Sequence, residues 1–236
     1  MGVPVDDITY ADIIADLPNY LASDEKMTAI SVNPQIIVES QNYPDIIDFI
    51  KKSTHRIPDG IGIVFVSKLT GGKIKERVAG IELMKQFLTY ANDNRKSAFF
   101  YGAKPDVLMD AIQNIKKEFP YVNILGGIDG YTQLSDEEII EKINVVKPDF
   151  LFVALGFPKQ EQWLSKNIDQ IDVSVFQDIG GSLDVLSGHV KRAPNFFIKY
   201  HLEWLYRSLS NPKRIGRILQ LPVFVVKSLW WKVGRK

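Results

Sequence analysis

Phe150-Leu151-Phe152-Val153-Ala154-Leu155-Gly156-Phe157-Pro158-Lys159-Gln160-Glu161-Gln162-Trp163 is the stretch on which the fold turns. Its first six residues are an unbroken apolar run of strand length, Gly156 ends the run, and Pro158 opens a helical pattern that continues to residue 168. A buried strand that passes through a glycine turn into a helix is the repeating unit of a parallel sheet. Outward from this unit the pattern recurs. Strands are expected from Ala29 to Val32, Ser97 to Tyr101, Val122 to Leu125, Phe150 to Leu155 and Val173 to Asp178. Helices are expected around 34–51, 79–93, 104–119, 135–147 and 158–168. Ser135 followed by Glu138 makes a capping-box start, and Pro105 suits a first helical turn. The alternation predicts an α/β domain with a mainly parallel sheet whose ligands bind at the carboxyl ends of its strands.

A chain of 236 residues is one large domain, or one domain with an appendage. Its 45% hydrophobic and 24% charged content excludes a disordered or collagenous chain. No apolar run is long enough to span a bilayer. The absence of cysteine excludes disulfides, thiolate metal sites and a cysteine nucleophile, and fits a reducing compartment. The net charge of +1 hides an asymmetry: from Lys191 to Lys236 there are 11 Lys and Arg against Glu203 alone, which leaves 18 basic and 27 acidic residues before them. The chain therefore divides into an acidic body, 1–190, and a basic, aromatic tail, 191–236, suited to a polyanionic partner. Asp6 and Asp7 stand where an export signal would be basic and apolar, and Asp6 also breaks the Met-Gly myristoylation pattern, so no export or lipidation is expected.

Glycine and polar residues gather at the strand ends: Ser31-Val32-Asn33, Gly102, Gly126-Gly127, Gly156 and Gly180-Gly181. Such turns admit a close ligand, and a following helix N-terminus can receive phosphate, although α/β turns use glycine in any case. The dinucleotide G-x-G-x-x-G, the Walker motif and the metal-holding Asp-x-Asp pair are all missing. His55, His189 and His201 have no metal-ligand spacing, so neither a metal nor another cofactor is expected.

Three stretches are denser than a fold requires: Arg56-Ile57-Pro58-Asp59-Gly60-Ile61-Gly62, Leu155 to Trp163, and a long one from Gly180-Gly181-Ser182-Leu183-Asp184 through Arg192-Ala193-Pro194 to Arg217. With Ser31-Val32-Asn33 and Arg77-Val78-Ala79-Gly80-Ile81-Glu82-Leu83, they resemble the WecG/TagA/CpsF family of bacterial glycosyltransferases from about Val5 to Arg217, most of all its TagA/TarA branch of wall teichoic acid synthesis. The resemblance implies a Rossmann-like catalytic domain and inverting transfer of N-acetylmannosamine from UDP-N-acetylmannosamine to undecaprenyl-diphosphate-linked N-acetylglucosamine, forming a β-1,4 linkage. It also implies action at the inner face of the cytoplasmic membrane and a tendency to self-associate.

Residue by residue, the resemblance makes Asp59 the general base, although a Pro-Asp-Gly tripeptide also simply shapes a turn. Arg77 would stabilise the diphosphate leaving group, against the alternative of a surface arginine beside Glu76. Gln160 would hydrogen-bond substrate, and Glu161 would cap or orient the same turn, a position that also fits ordinary helix capping. Ser31 and Asn33 match the family's Thr-x-Asn, with the hydroxyl kept and a methyl lost. Asp184 would read the uracil N–H. Gly102, Gly127, Gly130, Tyr131, Gly156, Pro158 and Gly181 belong to turns expected to hold UDP; Asp129, where the family more often has histidine, is a candidate contact.

In the tail, Arg192, Arg207, Arg214 and Arg217 are expected at the lipid diphosphate and membrane. The interleaved Phe, Tyr and Trp suit the headgroup layer, with the tail's first half packed on the body and its second half facing lipid. The alternative is a core-packing helix pair with a solvated basic face. Two rivals remain for function: a relative using another UDP-sugar donor, and a non-catalytic nucleotide- or nucleic-acid-binding module. The second leaves Pro58-Asp59-Gly60 and the Gly156 to Glu161 motif without a purpose, so a nucleic-acid partner is not expected.

Overall fold

The structure, a computed structural model, describes residues 1–191, 193–199, 205–206 and 220–234. Arg192, Arg207, Arg214 and Arg217 lie outside these residues. Apolar strands and amphipathic helices alternate along the body: α1 (Tyr10–Leu21), β1 (Met27–Val32), α2 (Pro34–Glu39), α3 (Pro44–Lys52), β2 (His55–Pro58), α4 (Ile61–Thr70), α5 (Gly80–Asp93), β3 (Ser97–Gly102), α6 (Pro105–Glu118), β4 (Asn123–Ile128), α7 (Asp136–Val146), β5 (Phe150–Ala154), α8 (Lys159–Asn167), β6 (Val175–Asp178) and α9 (Ser182–Leu186). Beyond the body come α10 (Asn195–Lys199) and α11 (Gln220–Val233).

The strands form one parallel sheet in the order β2-β1-β6-β5-β3-β4. Because side chains alternate along a strand, the sheet feeds two cores. Ala29, Phe150 and Phe152 pack toward α1, α5, α6 and α9, while Ile30, Leu151 and Val153 pack toward α2, α3, α4, α7, α8 and α11. Covering both faces is what a parallel sheet needs. As expected, Ser135 and Glu138 form a reciprocal capping box on α7, and Pro105 opens α6.

Four details depart from expectation. The helix expected over 34–51 is two helices separated by a single 3-10 turn at Ser40–Asn42, because Pro44 lacks an N–H and drives Tyr43 out of the helical region (φ −134°, ψ 83°). The Gly126-Gly127 pair lies inside β4 rather than after it; a Cβ at Gly127 would press on Leu108 and Ile112 of α6, and one at Gly126 on the Phe99 ring of β3, so these glycines admit close packing within the body. Helices α1 and α4 and the short edge strand β2 are further elements, with Thr9 and Asp12 making the capping box of α1. Finally, the far part of the tail is not free of the body: Phe224 of α11 is buried, and Leu221 reaches the bare Cα of Gly62. Its outer side leaves Val226, Trp230 and Val233 exposed.

Candidate active site

The carboxyl ends of β1, β2, β5 and β6 open on a cavity of about 370 Å³. Asp59 is fixed where β1 and β2 end together, since its N–H donates to Val32 O at 3.0 Å and to Ile57 O at 2.8 Å. Arg77 precedes α5 and is carried to the same place by the Val78 N–H, which donates to Pro58 O at 3.1 Å. Its Nη2 stands 3.5 Å from Asp59 Oδ1. The Tyr10 hydroxyl of α1 accepts the Ala79 N–H at 2.7 Å and so holds this segment from behind; burial pushes the phenol pKa up. Gly80 keeps the centre open, because a Cβ there would lie 3.1 Å from Ser31 Oγ and 4.0 Å from Asp59 Oδ2.

Asn33 caps α2 by accepting the Ile36 N–H on Oδ1 at 2.9 Å, and its side chain lines the same cavity. Gly156 (φ +75°) has open space where a Cβ would be and also lines the cavity, as do Gly180 and Gly181. Asp184 Oδ2 lies 3.2 Å from the Cβ position of Gly181, beside the cavity rim. Gln220 and Leu221 of α11 close one side.

Gln160 is placed differently from the substrate-binding role expected of it. Its Oε1 accepts the N–H groups of Gly156 (3.1 Å) and Gly180 (3.2 Å), while Nε2 donates to Glu161 Oε1 (2.9 Å) and Asp178 Oδ2 (3.4 Å). These four bonds exhaust a side-chain amide. Glu161 is 0% exposed and lies behind Gln160, so it neither caps α8 nor faces the cavity. Asp178 is 1% exposed and accepts the Ser31 N–H on Oδ1 at 2.8 Å. Burial pushes Glu161 up to about 7 against hydrogen bonding from Gln160. Burial, reinforced by the nearby Glu161 charge, raises Asp178 well above the ordinary carboxylate range.

The remaining expected residues are not brought to this cavity. A Cβ at Gly102 would overlap the Ala154 carbonyl, so that glycine serves the β3–β5 contact. Gly130 packs against Leu155 and donates to Ala103 O at 2.8 Å. Gly127 and Asp129 line a separate open groove between α6 and α7, where Asp129 Oδ1 accepts the Tyr131 N–H at 2.9 Å and Tyr131 is exposed. Pro158 stands at the N-cap of α8. Conversely, the sequence reading missed Asp178 and Tyr10. A carboxylate ending the expected strand Val173 to Asp178 just before Ile179-Gly180-Gly181 was the available signal for the first.

A parallel sheet whose strand ends set a carboxylate beside a guanidinium at a sugar-sized cavity has the equipment of a group-transfer enzyme: a base for an incoming hydroxyl and a cation for a departing anion. The chain belongs to the glycosyl transferase WecG/TagA/CpsF family, whose sequence profile matches residues 1–236. It is 40% identical over 210 residues to an N-acetylglucosaminyldiphosphoundecaprenol N-acetyl-beta-D-mannosaminyltransferase of Bacillus spizizenii, covering 89% of this chain and 81% of the relative. Proteins of the same name from Bacillus subtilis and Staphylococcus aureus are 39% and 33% identical. Those alignments cover 90% and 96% of this chain and 84% and 90% of the relatives.

Proposed function

We propose that this glycosyltransferase moves N-acetylmannosamine from UDP-N-acetylmannosamine to undecaprenyl-diphosphate-linked N-acetylglucosamine, with inversion to a β-1,4 linkage, in the linkage-unit step of wall teichoic acid synthesis. The observation that carries the reading is the Asp59–Arg77 pair at the mouth of β1 and β2. Asp59 takes the proton of the acceptor hydroxyl as that oxygen attacks the anomeric carbon, and the bond to UDP breaks on the opposite face. Arg77 meets the negative charge that accumulates on the departing diphosphate. Asn33 and the Gly156 and Gly180 turns orient the donor, and Asp184 accepts from the uracil.

The choice of donor is favoured by charge. Among the described lining residues Arg77 is the one cation, and it is already paired with Asp59. A uronic acid donor would bring a second carboxylate to that single cation, whereas N-acetylmannosamine is neutral. Membrane action is supported by α11: Trp230 is 81% exposed, Val226 and Val233 of the same helix are exposed, and so are Phe65 and Leu69 of α4, which α11 contacts. No helix among the described residues is long and apolar enough to cross a membrane, so this surface suits shallow docking at the inner leaflet. In the 1–190 and 191–236 division, the first part then carries the donor chemistry, while the second adds lipid capture and, through Gln220 and Leu221, one wall of the cavity. The test is UDP release with a panel of UDP sugars and a lipid-diphosphate N-acetylglucosamine acceptor. Turnover with UDP-N-acetylmannosamine alone is expected; preferential turnover with a uronate donor, or none with any sugar, overturns the reading.

A further inference from the structure

Two acids in the site have no part in the chemistry just described. Glu161 and Asp178 are both buried, come from different elements and reach the same atom, Nε2 of Gln160. Among the described residues Glu161 Oε2 is buried without a hydrogen-bond partner, an expensive position for an ionised carboxylate. The charged groups around them do not compensate for two negative charges. Asp59 adds a further negative charge from the end of β2, with Arg77 paired to it, while Asp184 lies on α9 and Lys159 of α8 points to solvent. Two carboxyls in such a place hold one proton between them.

What the two acids hold is the floor of the donor cavity. Asp178 Oδ1 receives the Ser31 N–H, and the two acids together receive both N–H groups of Gln160. The Gln160 amide is thereby turned so that its oxygen faces the N–H groups of Gly156 and Gly180. Rotated by half a turn, the amide would present N–H to N–H at both glycines and lose all four bonds at once. The ends of β5 and β6 are therefore tied through the Gln160 side chain and that of β1 through Asp178, and the orientation of the Gln160 amide depends on its acidic partners.

We infer that Glu161 and Asp178 are a proton-sharing positioning pair, which sets the Gln160 amide and through it the Ser31, Gly156 and Gly180 turns that receive the nucleotide-sugar. Glu161 stands behind the cavity, and Asp178, at its wall, acts through Gln160 and the Ser31 N–H. Loss of the shared proton leaves two buried negative charges behind the floor, and the turns give way. This deepens the transferase reading and rests on it, but it has a readout of its own in nucleotide affinity.

The experiment measures UDP affinity by calorimetry and kcat/KM for the UDP-sugar from pH 6 to pH 9, on the wild-type chain and on Glu161→Gln, Glu161→Ala and Asp178→Asn, each checked for folding by circular dichroism. In the wild type both quantities should fall by about tenfold per pH unit once the shared proton is lost. Glu161→Gln keeps an acceptor for Gln160 Nε2 and carries no titrating proton, so its alkaline fall should vanish. Its UDP affinity at pH 6 should stand well above that of Glu161→Ala, which should be lower by about tenfold or more. Asp178→Asn replaces an acceptor of the Ser31 N–H with an amide and should raise KM more than it lowers kcat. A folded Glu161→Gln protein whose alkaline limb matches the wild type refutes the pair, as does equal affinity in the Gln and Ala variants. Failure of the transferase reading looks different: UDP binds with the expected pH dependence, yet no sugar is turned over.

Discussion

Replacing Phe224 with alanine should release α11 without unfolding the sheet. Phe224 is 3% exposed and, with Leu221 and Val225, seats the helix on the core that also contains Ile36, Ile37, Ile63 and Val66. Truncating a buried Phe costs about 3–5 kcal/mol. Polar ties that remain among the described residues include the hydrogen bonds from Gln220 to Glu39 and from Lys232 Nζ to Thr70 O and a weak Ser228 Oγ contact to Met1 Sδ at 3.5 Å, each hydrogen bond worth about 0.5–1.5 kcal/mol net. They do not make up the loss, and a free helix of 14 residues is marginal in water. The sheet keeps its own two cores, so the damage should stay local. Hydrogen exchange should show the amides of 220–233 losing roughly two to three orders of magnitude of protection while β1, β5 and β6 keep theirs, at 1.4 kcal/mol per factor of ten. Activity on a lipid-linked acceptor should fall with it, because Gln220 and Leu221 form part of the cavity wall. If the strands and α11 lose protection together, or α11 keeps its protection, the reasoning about separate docking is refuted.

Asp59→Asn should fold normally and lose about 10²- to 10⁴-fold in turnover, the usual worth of a general base; near-normal turnover removes Asp59 from that role. Tyr10→Phe leaves the buried Ala79 N–H without its acceptor. The cost of about 1–3 kcal/mol corresponds at this chain length to a Tm lower by roughly 2–12 °C, measurable by calorimetry, with reduced activity through Arg77. Stability should also depend on pH through Glu161, whose folded-state value of about 7 lies above its ordinary 4.5. The folded state binds the extra proton, so this contribution is fully present below the ordinary value and is lost as pH rises through about 7. Urea midpoints measured between pH 5 and 8 should fall across that range in the wild type and less in Glu161→Gln. Replacing Trp230 and Trp231 with glutamate should abolish binding to anionic vesicles while leaving UDP affinity intact; unchanged vesicle binding would place the lipid surface elsewhere.

The body was legible in the sequence wherever burial on both faces left an unbroken apolar run, as in Phe150 to Leu155, or where a cap was written in local chemistry, as at Ser135 and Glu138. Strand β2 was not, because an edge strand of four residues containing His55 and Arg56 has no such run. In the site, Ser31, Asn33, Asp59, Arg77 and Gln160 were recognisable as motif residues, and the structure collects all five at one cavity. The glycines misled, because a turn that admits a ligand and a strand that admits a helix ask for the same residue. Gly156 opens on the cavity, whereas Gly102 and Gly127 are filled by Ala154 and by α6. The Glu161 and Asp178 pair was invisible for another reason: that two acids 17 positions apart share one buried nitrogen is a fact of packing, with no local pattern to carry it.

Helix α11 begins at the cavity wall with Gln220 and ends in exposed Trp230 and Val233. At 1.5 Å per residue its 14 residues make a rod of about 20 Å. In the membrane docking proposed above, a tryptophan end set in the headgroup layer would make this rod a ruler for the height at which chemistry occurs. The sugar to be extended would then have to stand about that far above the lipid surface. Adding or removing one helical turn would change that height by about 5.4 Å and put the acceptor hydroxyl out of register with Asp59 without altering a single residue of the cavity.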